Sequence, residues 1–242
     1  MSRIVMMGPP GVGKGTQAAL LAVALGVPAV STGDLFREHV RTRTPLGLEV
    51  SGLLAAGEYV PDAVTNAMVA DRLAAPDAQN GFILDGYPRT LPQLGELDRM
   101  LGDLSTTAGT NPGRTLPQLG ELDRMLGDLS TTAGTNPGRT LPQLGELDRM
   151  LGPATPLDAV VLLQADVEEI VARIVLRAEQ QGRSDDTPEV VRRRIEIYRA
   201  ETEPLADAYA ERGLLLRVEG TGSLDEVTAR IRAALDHDEA AA

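Results

Sequence analysis

The sequence predicts an α/β protein, a doubly wound five-stranded parallel sheet with helices on both faces. Two observations carry this. Five short apolar runs bounded by turn residues (Ile4–Met7, Ala29–Ser31, Phe82–Leu84, Val160–Gln164 and Leu214–Val218) read as strands buried on both faces. Between them lie longer stretches with helical spacing: 14–25, 32–40, 46–56, 63–74, 91–101, 167–179, 187–211 and 224–235. Strands alternating with helices indicate crossovers and a parallel sheet, in which ligands sit beyond the carboxyl ends of the strands. The loops after Met7, Ser31 and Leu84 are therefore expected to meet.

Composition narrows the function classes. The 242 residues carry a formal net charge of −12, with 35 acidic residues and 2% aromatics. Such a chain repels polyanions and lacks base-stacking platforms, so nucleic-acid binding is not expected. There is no cysteine and there are two histidines, His39 and His237. That excludes a disulfide framework and a cysteine metal site, and with two histidines far apart a histidine-rich metal site is not expected either. No apolar run reaches the ~20 residues of a membrane span, and the start MSRIVMMGPPG reads as a first strand, so a cytoplasmic setting is expected. Of the 23 basic residues, Lys14 is the only lysine. In a chain that otherwise uses arginine, this position calls for a compact ammonium on a flexible stem.

Residues 89–113 recur letter for letter at 114–138, and their first 14 letters again at 139–152. Solenoid repeats run the length of a domain, whereas this one has no echo elsewhere and reads as a local duplication. Without two periods roughly 190 residues remain, one ordinary domain. Within each copy, leucines three or four apart (Leu91, Leu94, Leu97, Leu101) mark one helix face. Pro92 suits a first turn, and DLSTTAGTNPG reads as a linker. Three identical helices thus compete for one place between Pro88 and Pro153. Copy one is expected to fill it, because it keeps Tyr87-Pro88-Arg89 continuous, with about 102–151 looping out.

The strongest chemical signal is Gly8-Pro9-Pro10-Gly11-Val12-Gly13-Lys14-Gly15-Thr16, between the first strand and first helix. Glycines let the backbone wrap a phosphate with N–H groups pointing inward and a helix N-terminus behind them, while Lys14 reaches the β- and γ-phosphates. The general pattern puts Ser or Thr directly after Lys, and here Gly15 intervenes. Elsewhere two readings stay open. Thr32 or Asp34 in Ser31-Thr32-Gly33-Asp34 contacts a ligand or caps a helix. Asp85, ending the third strand, holds Mg²⁺ through water or forms an Asp-Gly turn with Gly86. Arg192 and Arg193 fit a solvated helix face.

GPPGVGKGTQ, STGDLFR, GFILDGYPR, and GRSDD with a following RRR helix, in this order, resemble the adenylate kinases of the nucleoside monophosphate kinase family. The match covers the chain apart from the repeat, and Lys-Gly-Thr is the family's own form of the loop. The resemblance implies a P-loop core (1–30, 61–100, 151–176 and 184–242), an AMP-binding segment (31–60), a short lid (177–183) and an insertion (101–150). It places Gly11, Gly13, Lys14, Gly15, Thr16 and Arg173 at ATP. It places Thr32, Gly33, Arg37, Gly57, Val60, Gly86, Arg89 and Gln93 at AMP. Lys14, Arg89, Arg177, Arg183 and Arg194 clamp the transferring phosphoryl group, and Asp85 holds Mg²⁺ through water. Asp185 and Asp186 orient the arginines, or cap the helix at Thr187. Gly57–Val60 contact the base through the backbone or simply end a loop. Only five residues separate Arg177 from Arg183, too few for a zinc-bearing lid.

The implied reaction is reversible transfer from ATP to AMP giving two ADP, with Mg²⁺ and ATP, AMP and ADP as the partners. A monomer is expected, with self-association through surplus repeat helices as the variant. The alternatives are a uridylate or cytidylate kinase, against which Thr32 after Ser31 argues, and a P-loop scaffold that binds nucleotide without transfer.

Overall fold

The computed structural model describes residues 2–107, 157–166, 169–170, 173–174 and 187–241. Five strands are present: β1 (Ser2–Met7), β2 (Ala29–Ser31), β3 (Gly81–Asp85), β4 (Ala159–Gln164) and β5 (Leu215–Glu219). They form one parallel sheet in the order β2-β3-β1-β4-β5. The chain runs out to one side through β2 and β3, then crosses to the other through β4 and β5. The loop after central β1 therefore opens where the direction of winding reverses, the position at which such sheets bind ligands.

The described helices are α1 (Lys14–Leu25), α2 (Thr32–Arg41), α3 (Pro45–Ala56), α4 (Asp62–Ala74), α5 (Leu91–Thr107), α6 (Pro188–Ile197), α7 (Leu205–Glu211) and α8 (Leu224–Ala241). Strand alternation sorts the core into two layers. Val5, Met7, Phe82, Leu84, Val160 and Leu162 face α4, α5 and α7. Ile4, Met6, Ile83, Val161, Leu163 and Val218 face α1 and α8. Successive strand residues point to opposite faces, and both faces here are covered, which is why the strands read as unbroken apolar runs. A smaller cluster joins Phe36, Leu46, Val50 and Val60 to Val64 and Met68, giving α2 and α3 a core against α4.

Local signals set the helix ends. The Ser31 hydroxyl accepts from the Asp34 N–H at 3.3 Å to start α2, so the cap is Ser31 and not Thr32 or Asp34. Thr44 caps α3 in the same way, with Pro45 at its first position. Thr187 caps α6, so the capping role considered for Asp185 and Asp186 is taken by their neighbour.

Two helices depart from expectation. The stretch 187–211 is not one helix, because α6 passes into a π-helical turn over Tyr198–Thr202 and the chain restarts as α7 after Pro204. Proline cannot donate a helical hydrogen bond and crowds the preceding turn, so the backbone widens before it. Helix α5 runs to Thr107, six residues past the expected end at Leu101 and five into the expected linker. Gly102 costs a helix about 1 kcal/mol and the Ser and Thr residues less, and the first proline beyond is Pro112.

The docked helix is copy one of the repeat, with Leu94, Leu97, Met100 and Leu101 buried in the layer under α4. Copies two and three, 114–138 and 139–152, lie outside the described residues, as does the lid 177–183.

Candidate active site

The loop Gly8–Gly13 joins the end of β1 to α1. Gly8 has φ +138°, and a Cβ there would stand 2.5 Å from the Leu163 carbonyl, so only glycine lets the chain leave β1 beside β4. Lys14 opens α1, and its ammonium donates to the carbonyls of Gly8 (2.8 Å) and Pro9 (2.9 Å), which sets it across the loop. Behind it the first turn of α1, including Gly15 and Thr16, points N–H groups that have no intrahelical partner toward the same space.

Asp85 ends β3, paired with Met6 of β1 and Ser31 of β2. Its carboxylate lies against Gly15, where a Cβ would be 3.2 Å from Oδ2. This gives the Lys-Gly-Thr order a spatial correlate: a side chain directly after Lys14 would press on the Asp85 carboxylate, and the hydroxyl stands one place on at Thr16.

On the β2 side, Thr32 is buried and its hydroxyl donates to the Gly86 carbonyl at 2.9 Å, holding the start of α2 to the turn after β3. Arg37 pairs with Asp34 at 2.6 Å, and its guanidinium packs beside Gly33. Arg89 is fixed at several points. Its N–H donates to Gln93 Oε1 (2.8 Å), its Nε donates to the Gly86 carbonyl (2.7 Å), and its guanidinium lies 4.9 Å from the centre of the Tyr59 ring. Neither Nη atom has a hydrogen-bond partner among the described residues.

Gln93 is buried, and its other amide end donates to Asp62 at 2.7 Å. Both ends of the side chain are thus engaged by protein, and Gln93 stands behind Arg89, not on the cleft wall. Val60 is likewise buried, in the small α2–α4 cluster.

From the opposite side come Arg173 and Arg194. Arg173 donates to the carbonyls of Gly220 (2.9 Å) and Val12 (3.3 Å) and pairs with Glu169. Arg194 donates to the Leu54 carbonyl at 3.3 Å, tying α6 to the end of α3. Arg193, expected on a solvated face, is half-exposed, yet it pairs with Glu58 at 2.8 Å and makes a second tie to the same end. Between these groups lies one cleft of about 560 Å³, lined by Lys14, Arg37, Arg89, Arg173 and Arg194 together with Asp34, Glu58 and Asp85. Two of those acids already serve Arg37 and Arg193, which leaves Asp85 as the acid at the phosphate loop. Arg177, Arg183, Asp185 and Asp186 lie outside the described residues.

Tyr198 and Thr202 also line the cleft, and the sequence reading missed both. They reach the cleft because the π-helical turn carries them inward, and a π turn has no spacing signature that separates it from ordinary helix. Burial pushes the Tyr198 phenol up to about 12, with Glu203 adding to the shift, so it stays protonated at the edge of the cleft.

The sequence was compared with known proteins. The pattern of the family described as adenylate kinase matches residues 6–110. The adenylate kinase of Kocuria rhizophila is 41% identical over 236 residues, covering 98% of this chain and all of that one. Those of Clavibacter michiganensis subsp. michiganensis (43%; 97% of this chain, 93% of that one) and Bifidobacterium longum (42%; 95% and 97%) are similar to the same degree. With identity at this level sustained across nearly the whole of both partners, the chain belongs to the adenylate kinase family.

Proposed function

We propose that the chain catalyses reversible phosphoryl transfer from ATP to AMP, giving two ADP. The observation that carries the reading is the convergence of five cations, from the start of α1, α2, the turn before α5, the segment after β4, and α6, on one cleft at the reversal point of the sheet. Donor and acceptor are both anions, and their approach is unfavourable until positive charge is fixed around them. Phosphoryl transfer spreads charge over equatorial oxygens in a loose transition state, so positioning and electrostatics supply most of the catalysis. The acceptor is already a phosphate anion, and no general base is required.

In this reading Lys14 and the N–H groups of Gly11, Gly13, Gly15 and Thr16 take the β- and γ-phosphates, and Arg173 packs at the ATP base. Arg37 and Arg89 take the AMP phosphate, each offering a planar fork. Thr32, Gly33, Gly57, Val60 and Gly86 shape the AMP side, and Gln93 reaches the base only by exchanging its bond to Asp62. Arg194, with Arg177 and Arg183 from the lid, meets the phosphoryl group in flight, and Asp185 and Asp186 orient those arginines.

The donor set at Asp85 and Thr16 is hard oxygen. Among the described residues there is no cluster of acids or histidines able to enclose a metal. That combination suits Mg²⁺, which keeps several waters and arrives with a triphosphate, and when bound it would neutralise β- and γ-oxygen charge. The 31–60 segment and the lid close over the substrates and exclude water.

Among the described residues no helix is long and apolar enough to cross a membrane. A chain without cysteine needs no oxidising compartment, which fits a cytoplasmic enzyme, and a monomer completes the reading. The test is a coupled ADP assay on the whole chain with Mg²⁺, ATP and a panel of AMP, UMP and CMP, repeated after deletion of 101–150. AMP is expected to be preferred in both forms. Nucleotide binding by folded protein without ADP formation would leave only a scaffold.

A further inference from the structure

Tyr59 touches Arg89 from two sides. Its ring face carries the Arg89 guanidinium, 4.9 Å from the ring centre, an attraction between a cation and the negative face of the ring. Its hydroxyl lies 2.9 Å from Thr202 Oγ1, and Thr202 Oγ1 lies 2.9 Å from the Arg89 carbonyl. A carbonyl only accepts, so the single Thr202 proton goes to Arg89, and the Tyr59 hydroxyl must supply the proton between itself and Thr202. The chain runs Tyr59 O–H to Thr202 O–H to the Arg89 carbonyl. Thr202 is 5% exposed, so this is a protected link and not a surface contact.

The three residues belong to three parts of the fold. Tyr59 follows α3, on the segment that carries Thr32 and Arg37. Arg89 precedes α5. Thr202 closes the π-helical turn after α6, where the Glu203 N–H reaches back five residues to the Tyr198 carbonyl. Such wider turns recur at functional sites because they move a side chain off the regular helical track. Here the turn delivers the Thr202 hydroxyl to the Arg89 backbone. With the N–H held by Gln93 and Nε by Gly86, the link leaves the two Nη groups as the part of Arg89 aimed at the cleft.

We propose that Tyr59 is a positioning residue that, through its ring and the Thr202 hydroxyl, sets the Arg89 fork for the acceptor phosphate only while the 31–60 segment lies against the π-helical turn. The inference rests on the reading of Arg89 as an acceptor-phosphate clamp. It couples seating of the acceptor to completion of that clamp, because the ring that steadies Arg89 rides on the segment that holds the acceptor. Donor binding at the Lys14 loop does not pass through this link.

The experiment is steady-state kinetics on the whole chain with ATP and AMP varied separately, for Tyr59→Leu, Tyr59→Phe, Thr202→Val and Thr202→Ser, with Arg89→Ala alongside. Tyr59→Leu removes both contacts and is expected to lower kcat/KM for AMP about tenfold while KM for ATP stays within about twofold. Tyr59→Phe keeps the ring and is expected to cost about threefold, matched by Thr202→Val and restored by Thr202→Ser. The Tyr59→Phe/Thr202→Val double variant is expected to be no worse than Thr202→Val, since both break one link.

Tyr59→Leu within twofold of the parent while Arg89→Ala collapses would overturn the inference and leave the clamp standing. Equal losses toward ATP and AMP would reduce Tyr59 to a packing role and also overturn it. Arg89→Ala with full activity would remove the clamp itself, and the inference with it. If Thr202→Val does not fold, the two Tyr59 variants decide alone, because Tyr59 lies at the cleft surface.

Discussion

Arg89 has two exact counterparts in sequence, Arg114 and Arg139, each followed by the same thirteen residues. Alanine at each position in turn measures which copy serves the cleft. The Nη groups of Arg89 are the free end of a side chain otherwise held by Gly86 and Tyr59, so Arg89→Ala removes two charged donors aimed at the cleft, the proposed clamp on the acceptor phosphate. Losing preorganised donors of this kind costs about 3 kcal/mol or more, a fall in kcat/KM for AMP of about 10²-fold or larger.

Loop entropy hardly separates copy one from copy three, since each would leave out a loop of similar length. The middle copy needs two loops and costs about 2 kcal/mol more. What favours copy one is covalent continuity through Tyr87-Pro88-Arg89, and copy one is the helix seen over the sheet, its Leu94, Leu97 and Leu101 buried. The coupled ADP assay should therefore show collapse for Arg89→Ala, with Arg114→Ala and Arg139→Ala within about twofold of the parent. A severe loss confined to Arg139→Ala, or one seen only in the Arg89→Ala/Arg139→Ala double variant, would refute the reasoning.

Gly15→Ala places a methyl 3.2 Å from the Asp85 carboxylate and should lower kcat/KM for MgATP about tenfold, with that for AMP less affected, in the same assay. Arg212 donates to Asp98 at 2.8 Å, and Asp98 is only 5% exposed beside buried Tyr209. Arg212→Ala removes this ion pair from a nearly buried carboxylate and should lower the urea midpoint at unchanged m, a loss of up to about 3 kcal/mol. Glu226 accepts from the Ser223 N–H (2.8 Å) and hydroxyl (2.9 Å) at the start of α8, bonds that hold its carboxyl below the usual 4.5. A lowered folded-state value means that its contribution is complete above the ordinary carboxylate range and is lost as pH falls through the folded-state value. The urea midpoints of parent and Glu226→Gln should therefore differ at about pH 7 and draw together as pH falls below the carboxylate range.

The five strands, the phosphate loop and most helix bounds were legible in sequence because each rests on local rules: apolar runs between turn residues, glycines where the backbone must wrap closely, hydroxyls at caps. Lys14 was marked by being the one lysine among arginines. The resemblance of the motifs to a known family groups Arg37, Arg89, Arg173 and Arg194, and the fold sets all four on one cleft.

Other features needed the third dimension. That Ser31 and not Asp34 caps α2 depends on backbone angles at one residue. That Gln93 stands behind Arg89, bound to Asp62 31 positions away, is a long-range pairing with no spacing to announce it. The Tyr59–Thr202 link joins residues 143 apart, and the π-helical turn that delivers Thr202 has no spacing of its own to announce it. Among three copies of one sequence, identity cannot choose, so the docked copy is decided by connectivity and packing. Local chemistry fixes which segments form and what they offer, and the meeting of distant side chains belongs to the folded arrangement, where closure entropy and burial are settled together.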